Sequence, residues 1–255
     1  MRPAEQLLTE LGISEPRDID IDAIAYCVGA EIDYRSLTGC EAQIIGRADR
    51  AVIYVRKDIR PTRKRFSAGH ELGHWHHHRG LSFVCRPEDI GRPIDETSKN
   101  AERVADAYAA DLVLPRFMIA PKLQAMDRFT LNQLIELAGS FSASVTATAI
   151  RAVRLTRNPV ILIAHNFFGR RWQWPSITAH GLRVRDDIDA RSSAFGQLAA
   201  PGKLAPPRKE PASYWFERRH IERFDVDAQS MTTVEGESLT LIRILDQELI
   251  DIYAH

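Results

Sequence analysis

Apolar positions in the first 60 residues fall into short periodic runs separated by polar and glycine punctuation. Residues 3 to 12 have helical spacing and end at Gly12. Ile21 to Val28 form a second helical run, which Asp20 or Asp22 can cap and Gly29 can stop. Glu31 to Tyr34 alternates like a short strand. Gln43 to Arg47 and Ala51 to Val55 are β-prone runs around Ala48-Asp49-Arg50 and predict a hairpin. Pro61 then suits the first turn of a helix carrying Phe66 through His78, with Gly80 as its terminator. Pro87, Gly91 and Pro93 mark a loop. From Glu96 the pattern is helical again until Pro115, and Ala101, Val104, Ala105, Tyr108 and Leu112 form its buried stripe.

Thr130 opens another helix with Leu131, Leu134, Ile135 and Leu137 inward, broken near Phe141-Ser142-Ala143. Ser144 caps the next, which runs through Ile150 and Val153 and is closed by Asn158-Pro159. The chain then changes character. Val160 to Ala164, Arg171 to Trp174 and Leu239 to Leu245 look like strands, and Pro201, Pro206, Pro207 and Pro211 mark a long irregular connection between them. The pattern predicts an α+β chain in three parts: 1–125 with a small sheet before its long helices, a helical segment 126–157, and a β-rich region 158–255.

Composition narrows the function classes. Lys plus Arg equals Asp plus Glu, 34 against 34, so net charge points to neither a nucleic-acid nor an acidic-lipid partner. No run of 18 apolar residues exists, which speaks against a helical membrane span. The start turns acidic too early for a signal peptide. Cys27, Cys40 and Cys85 are odd in number and widely spaced, with no C-x-x-C pair. They read as reduced thiols of a cytoplasmic protein, in core or boundary positions. His165, His180, His220 and His255 are scattered and read as ordinary surface or core residues. Trp172, Trp174, Trp215, Phe167, Phe168 and Phe216 are expected to anchor the core of the last region.

Chemistry concentrates at His70-Glu71-Leu72-Gly73-His74, an H-E-x-x-H motif in a helical stretch. His70 and His74 are one turn apart on one face, so both imidazoles can reach a single metal ion, with Glu71 beside them as a base rather than a ligand. Gly73 allows another backbone segment, or a bound peptide, to approach closely. Two imidazoles and a carboxylate make an open zinc site, and Glu102 on the next helix is the candidate carboxylate. Asp106, four residues on, can hold a ligand imidazole by its second ring nitrogen. On spacing alone, Glu102 and Asp106 serve equally well as a solvated helix face. His78 lies one turn further along the ligand face, as a backup ligand, a group behind a ligand, or a helix-end cation. His76 and His77 point elsewhere, exposed or packed on Trp75. Arg56, Lys57, Arg60, Arg63, Lys64 and Arg65 form a basic cluster, read as a solvated face, with steering of an acidic substrate as the alternative.

Arg65 through His74, with His78 after it, resembles the signature of the ImmA/IrrE family of metallo-endopeptidases. Glu102 through Pro115 is similar to that family's E-x-x-A-x-x-F-A-x-x-L-L-x-P pattern, with Tyr108 in place of the usual Phe. The likeness extends through Leu131–Ala138, Phe141, Ser144 and Arg151. It implies a zincin-like peptidase domain over 1–125 and a helix-turn-helix-like segment over 126–157. It also implies a C-terminal region over 158–255 that is GAF-like in one branch of the family. It makes Glu102 the third ligand of Zn2+, with Mn2+ as another divalent candidate, and Glu71 the catalytic base. The implied substrate is a helix-turn-helix transcriptional repressor whose cleavage switches genes on during stress or mobile-element induction. Tyr108, His78 and Arg103 are each placed to contact an oxyanion or substrate. Two alternatives belong to other classes: a DNA-binding regulator, and a partner-binding regulator with a vestigial peptidase. The first fits poorly, because Ser144 to Ile150 offers mostly small side chains where a recognition helix needs base-reading ones.

Overall fold

The computed structural model describes residues 2–79, 81–87, 90, 98–202, 204–233 and 236–253. Gly80, Gly91, Pro93, Glu96 and His255, named above, lie outside them. The fold is α+β, with a four-stranded sheet and a five-stranded sheet. The chain divides into two compact units, Met1–Ile119 with Gly139–Ser144, and Ala120–Ala138 with Val145–His255.

The first unit opens with α1 (Pro3–Glu10) and α2 (Ile21–Cys27). Asp20 is the cap of α2, its carboxylate accepting from the backbone N–H groups of Asp22 and Ala23. Strands β1 (Ala30–Arg35), β2 (Ala42–Arg47) and β3 (Arg50–Arg56) follow, then α3 (Pro61–His77), β4 (Phe83–Cys85) and α4 (Ser98–Val113). β2 and β3 form the expected hairpin, with Arg47 opposite Arg50. β1 lies parallel to β3 on its other side, and β4 pairs with β2 at the sheet edge. Ala42, Ile44, Ala51, Ile53 and Val55 alternate inward and are buried. α3 packs on this sheet. Gly46 on β2 makes the fit possible, since a Cβ there would lie 3.0 Å from the Trp75 ring. Trp75 is buried and its indole N–H donates to the carbonyl of Val28, 2.8 Å away.

Helix α5 (Arg116–Gln124) leads on to α6 (Leu131–Ser140) and α7 (Val145–Leu155). In the second unit, β5 (Val160–Asn166), β6 (Gly169–Pro175), α8 (Ser193–Ala199), β7 (Arg208–Pro211), β8 (Asp225–Thr232), β9 (Ser238–Arg243) and α9 (Gln247–Tyr253) follow in turn. The sheet runs β6-β5-β9-β8-β7, every pair antiparallel. The unbroken apolar run Val160–Ala164 reflects burial on both faces of β5. α7 packs on β5 and β6. Ile161 and Ile163 belong to a core with Trp215, Phe216 and Phe224. The aromatic expectation needs correcting at three positions. Phe167 and Phe168 occupy the two-residue turn between β5 and β6, where neither sheet face can reach them, and are 62% and 98% exposed. Trp174 is also largely outward, beneath the Arg154 guanidinium. No helix among the described residues is long and apolar enough to cross a membrane.

His165 is buried at the end of the apolar run of β5, with its Nδ1 lacking a hydrogen-bond partner. Burial, reinforced by the charge of Arg170, pushes the imidazole down to about 4 from 6.5. Between those values the unfolded chain holds a proton that the folded one refuses, so stability falls as pH drops through that window. At pH 5 the loss is about 2 kcal/mol. Thermal unfolding of wild type and His165→Leu at pH 7 and pH 5 should show this acid-side loss in the wild type alone. Equal losses in both would assign the pH dependence elsewhere.

Candidate metal centre

The centre depends on how closely α3 and α4 pack. Gly69 and Gly73 on α3 face Ala105 and Ala109 on α4 through a seam of small residues. A Cβ on Gly73 would stand 2.7 Å from the Ala105 Cα and 2.9 Å from its carbonyl oxygen. The expected close approach at Gly73 is therefore made by the backbone of α4. It brings Glu102, three residues before Ala105, over the two imidazoles. Glu102 Oε2 lies 2.9 Å from His70 Nε2, and Oε1 lies 3.4 Å from His74 Nε2. The two Nε2 atoms are 3.1 Å apart. His70, Glu71 and His74 are fully buried and Glu102 nearly so, which removes the solvated-face alternative for Glu102.

Behind these groups, His70 Nδ1 is 2.9 Å from Asp106 Oδ1. A carboxylate can only accept, so His70 donates to Asp106 through Nδ1–H and to Glu102 through Nε2–H; a metal ion would displace the Nε2 proton while Asp106 holds the one on Nδ1. His74 Nδ1 lies 3.4 Å from His78 Nδ1, which puts His78 behind a candidate ligand. The remaining contributor is β4. Phe83 stacks on the His74 ring, with centroids 4.1 Å apart and planes at 15°, and Cys85 Sγ lies 3.6 Å from His74 Nε2. One ligand atom from each of His70, His74, Cys85 and Glu102 lies within 4.8 Å of the others. Cys85, expected as a core or boundary thiol, is buried but stands among the donors. Its signal was absent from the sequence because β4 has only three residues and is held by pairing with β2, more than 35 positions away.

The electrostatics show what these groups demand of one another. Burial disfavours a charged His70, but the hydrogen bonds to Asp106 and Glu102 outweigh it and lift the imidazole to about 9. Glu102 is likewise desolvated, yet His70 and His74 hold it down at about 2. His74 is lowered by burial. Glu71 is fully buried. Burial raises it to about 8 against the opposing pulls of His70 and of a hydrogen bond from the Cys85 thiol. A carboxylate so placed beside two imidazoles calls for a positive charge in the cluster.

The donor set fits Zn2+. A zinc tetrahedron with Zn–N near 2.05 Å and Zn–S near 2.3 Å has edges of about 3.3 Å between nitrogens and about 3.6 Å between nitrogen and sulfur. The observed 3.1 Å and 3.6 Å lie close to those edges. A thiol among the donors also favours Zn2+ over Mn2+, which prefers oxygen ligands. If Asp106 orients His70 as a ligand, Asp106→Ala should lower zinc affinity by about tenfold to a hundredfold. Competition with a chelator of known affinity measures this, and an unchanged affinity would remove Asp106 from the site.

Other expected residues fall elsewhere. The Tyr108 ring stacks on His76, with centroids 5.2 Å apart, and makes an edge contact with His77. His76 and His77 are exposed, one of the two expected placements, and with Trp75 and Arg79 the His76–Tyr108 pair lines a cavity of about 340 Å³. Arg103 is exposed. Part of the basic cluster is structural: Arg63 pairs with buried Glu41 at 2.6 Å, and Arg65 donates to the carbonyl of Ile19.

Residues 31–153, which span α3, β4 and α4, match the model of peptidase family M78, the IrrE N-terminal-like domain. The chain thus carries an IrrE N-terminal-like domain over those residues. The IrrE N-terminal-like domain is a metallopeptidase domain by family, and the four buried donors lie within it. A solved structure described as a Mycobacterium tuberculosis transcriptional regulator has a TM-score of 0.59 at 12% identity, covering 97% of this chain and 77% of that one. At that identity the likeness is one of fold. No curated protein matches the sequence.

Proposed function

We propose that the protein is a zinc-dependent endopeptidase that cleaves a helix-turn-helix transcriptional repressor in the cytoplasm, as part of a stress or mobile-element response. The observation that carries this reading is Glu71, a fully buried carboxyl next to a cluster of metal donors. A structural zinc site has no use for such a carboxylate, whereas a hydrolase needs one. His70, His74 and Glu102 would hold the metal. Bound Zn2+ supplies a Lewis acid that acidifies water and polarises a peptide carbonyl, and its charge draws Glu71 back toward the ionised form.

The rest belongs to the side chains. Glu71 takes a proton from the attacking water and returns it to the leaving amine, a role suited to a carboxyl whose burial raises its proton affinity. Asp106 keeps His70 in the tautomer that presents Nε2, and Phe83 fixes the plane of His74. In this reading residues 1–125 form a zincin-like catalytic domain, 126–157 a helix-turn-helix-like segment and 158–255 a GAF-like regulatory region. The fold likeness to a protein described as a transcriptional regulator supports a regulatory setting. A second reading, a partner-binding regulator with a vestigial peptidase, draws on Cys85, which can fill the position a catalytic metal keeps open. Incubating the protein with the repressor encoded nearest its gene separates the two. Discrete fragments that appear with Zn2+ and vanish with a chelator are expected, and an uncut repressor bound in a stable complex would favour the second.

A further inference from the structure

We propose that Cys85 is a fourth protein ligand of the metal, holding the centre closed at rest, and that oxidation of its thiolate by a hydroperoxide opens it. This rests on the metallopeptidase reading and names its regulation. Catalytic zinc sites keep three protein ligands and one exchangeable position, whereas structural sites fill all four. Here a fourth donor stands where that position would be. Cys85 Sγ is 3.6 Å from His74 Nε2, the N···S edge of a zinc tetrahedron, and shares one cluster with His70 and Glu102.

The placement is structural, not accidental. In the three residues of β4, Phe83 and Cys85 face one way and Val84, 66% exposed, faces the other. Cys85 pairs with Ala42 and Phe83 with Ile44, both buried, so the β2 register fixes Cys85 and Phe83 on the inner face. The same register seats Phe83 on the His74 ring. A one-residue slip of β4 would turn Cys85 out and bring Val84 in. Cys27 and Cys40 are outside the donor cluster.

Release needs a change in the sulfur itself. The thiolate attacks one oxygen of the hydroperoxide, an S–O bond forms as the O–O bond breaks, and the departing oxide takes up a proton to leave as water or an alcohol. Sulfur loses two electrons and the peroxide gains two. The resulting sulfenic acid is reversible by thiols, so the centre can close again.

Cobalt(II) reports the ligand directly. In a Cys27→Ser, Cys40→Ala background, one equivalent of Co2+ should give the visible bands of a tetrahedral centre together with a sulfur-to-cobalt charge-transfer band in the near ultraviolet. Cys85→Ser should keep the visible bands and lose the sulfur band. Hydrogen peroxide should abolish the sulfur band one-for-one with sulfenic acid trapped at Cys85. Peptidase activity, low in the reduced protein, should rise at least about tenfold with peroxide or with Cys85→Ser. Visible bands without a sulfur band in the reduced Cys85-containing protein would overturn the proposal while leaving the metallopeptidase intact. A sulfur band with no cleavage under any condition would keep the ligand but remove both the gate and the peptidase. Failure to bind cobalt at all would remove the metal centre, and this proposal with it.

Discussion

Glu71→Gln should leave the protein folded and its zinc bound while cleavage of the protein substrate falls by about 10²–10⁴-fold. The change preserves size and shape and removes only the ability to carry a proton. Glu71 lies outside the donor cluster, so zinc affinity should move little. Its side chain is fully buried, so replacing a carboxylate with a neutral amide lowers the desolvation cost of folding. Melting temperature should therefore hold or rise. Lost activity without lost stability or metal is a pattern that a merely structural residue would not produce. Single-turnover cleavage, metal analysis and thermal unfolding on the same preparation read all three. Cleavage at an unchanged rate would end the role of Glu71 as base and, with it, the hydrolytic mechanism.

What the sequence disclosed followed the range of its signals. His70, Glu71 and His74 were legible because the motif and its helix are local, and helical geometry alone puts the two imidazoles on one face. Glu102 was different. Its spacing was equally compatible with a solvated face, and only the family resemblance singled it out. The burial that makes it a donor comes from the Gly73–Ala105 approach, which one helix cannot reveal. Cys85 was invisible for a related reason, since three residues carry no readable period and the partner strand β2 supplies the register. In the second unit, β8 escaped notice because its inward positions include Ala228 and Ser230, small or hydroxylated, which blur the alternation. Ser230 is satisfied there by Thr240 at 2.7 Å and Ser193 at 2.8 Å. α5 was hidden by Pro115 before it and Pro121 within it, both of which read locally as breaks. Phe167 and Phe168 misled in the opposite direction: their hydrophobicity suggested a core, while the two-residue turn they occupy exposes them.

Gly73→Ala should be strongly destabilising, because the added methyl meets backbone rather than a yielding side chain. The new carbon would lie 2.7 Å from the Ala105 Cα, 2.9 Å from the Ala105 carbonyl oxygen and 3.1 Å from the Tyr108 Cβ. None of these atoms can rotate away, so α3 and α4 must separate. Overpacking of this kind costs about 1–3 kcal/mol, and rigid neighbours put it near the upper end. Alanine's better helix propensity returns only about 1 kcal/mol, so the net effect is destabilising. The consequence for chemistry is larger than that difference suggests. Glu102 rides on α4 and His70 on α3, so the 2.9 Å contact between them lengthens with the helices, and zinc affinity should fall further than for Asp106→Ala. Gly139→Ala is the matched control: Gly139 is also helical but has nothing within 4 Å of an added Cβ, so it should be neutral or gain up to about 1 kcal/mol. Denaturant unfolding and zinc competition on both variants make the comparison. If Gly73→Ala matched Gly139→Ala in stability and wild type in zinc affinity, the close approach of the two helices would not be what delivers Glu102 to the imidazoles.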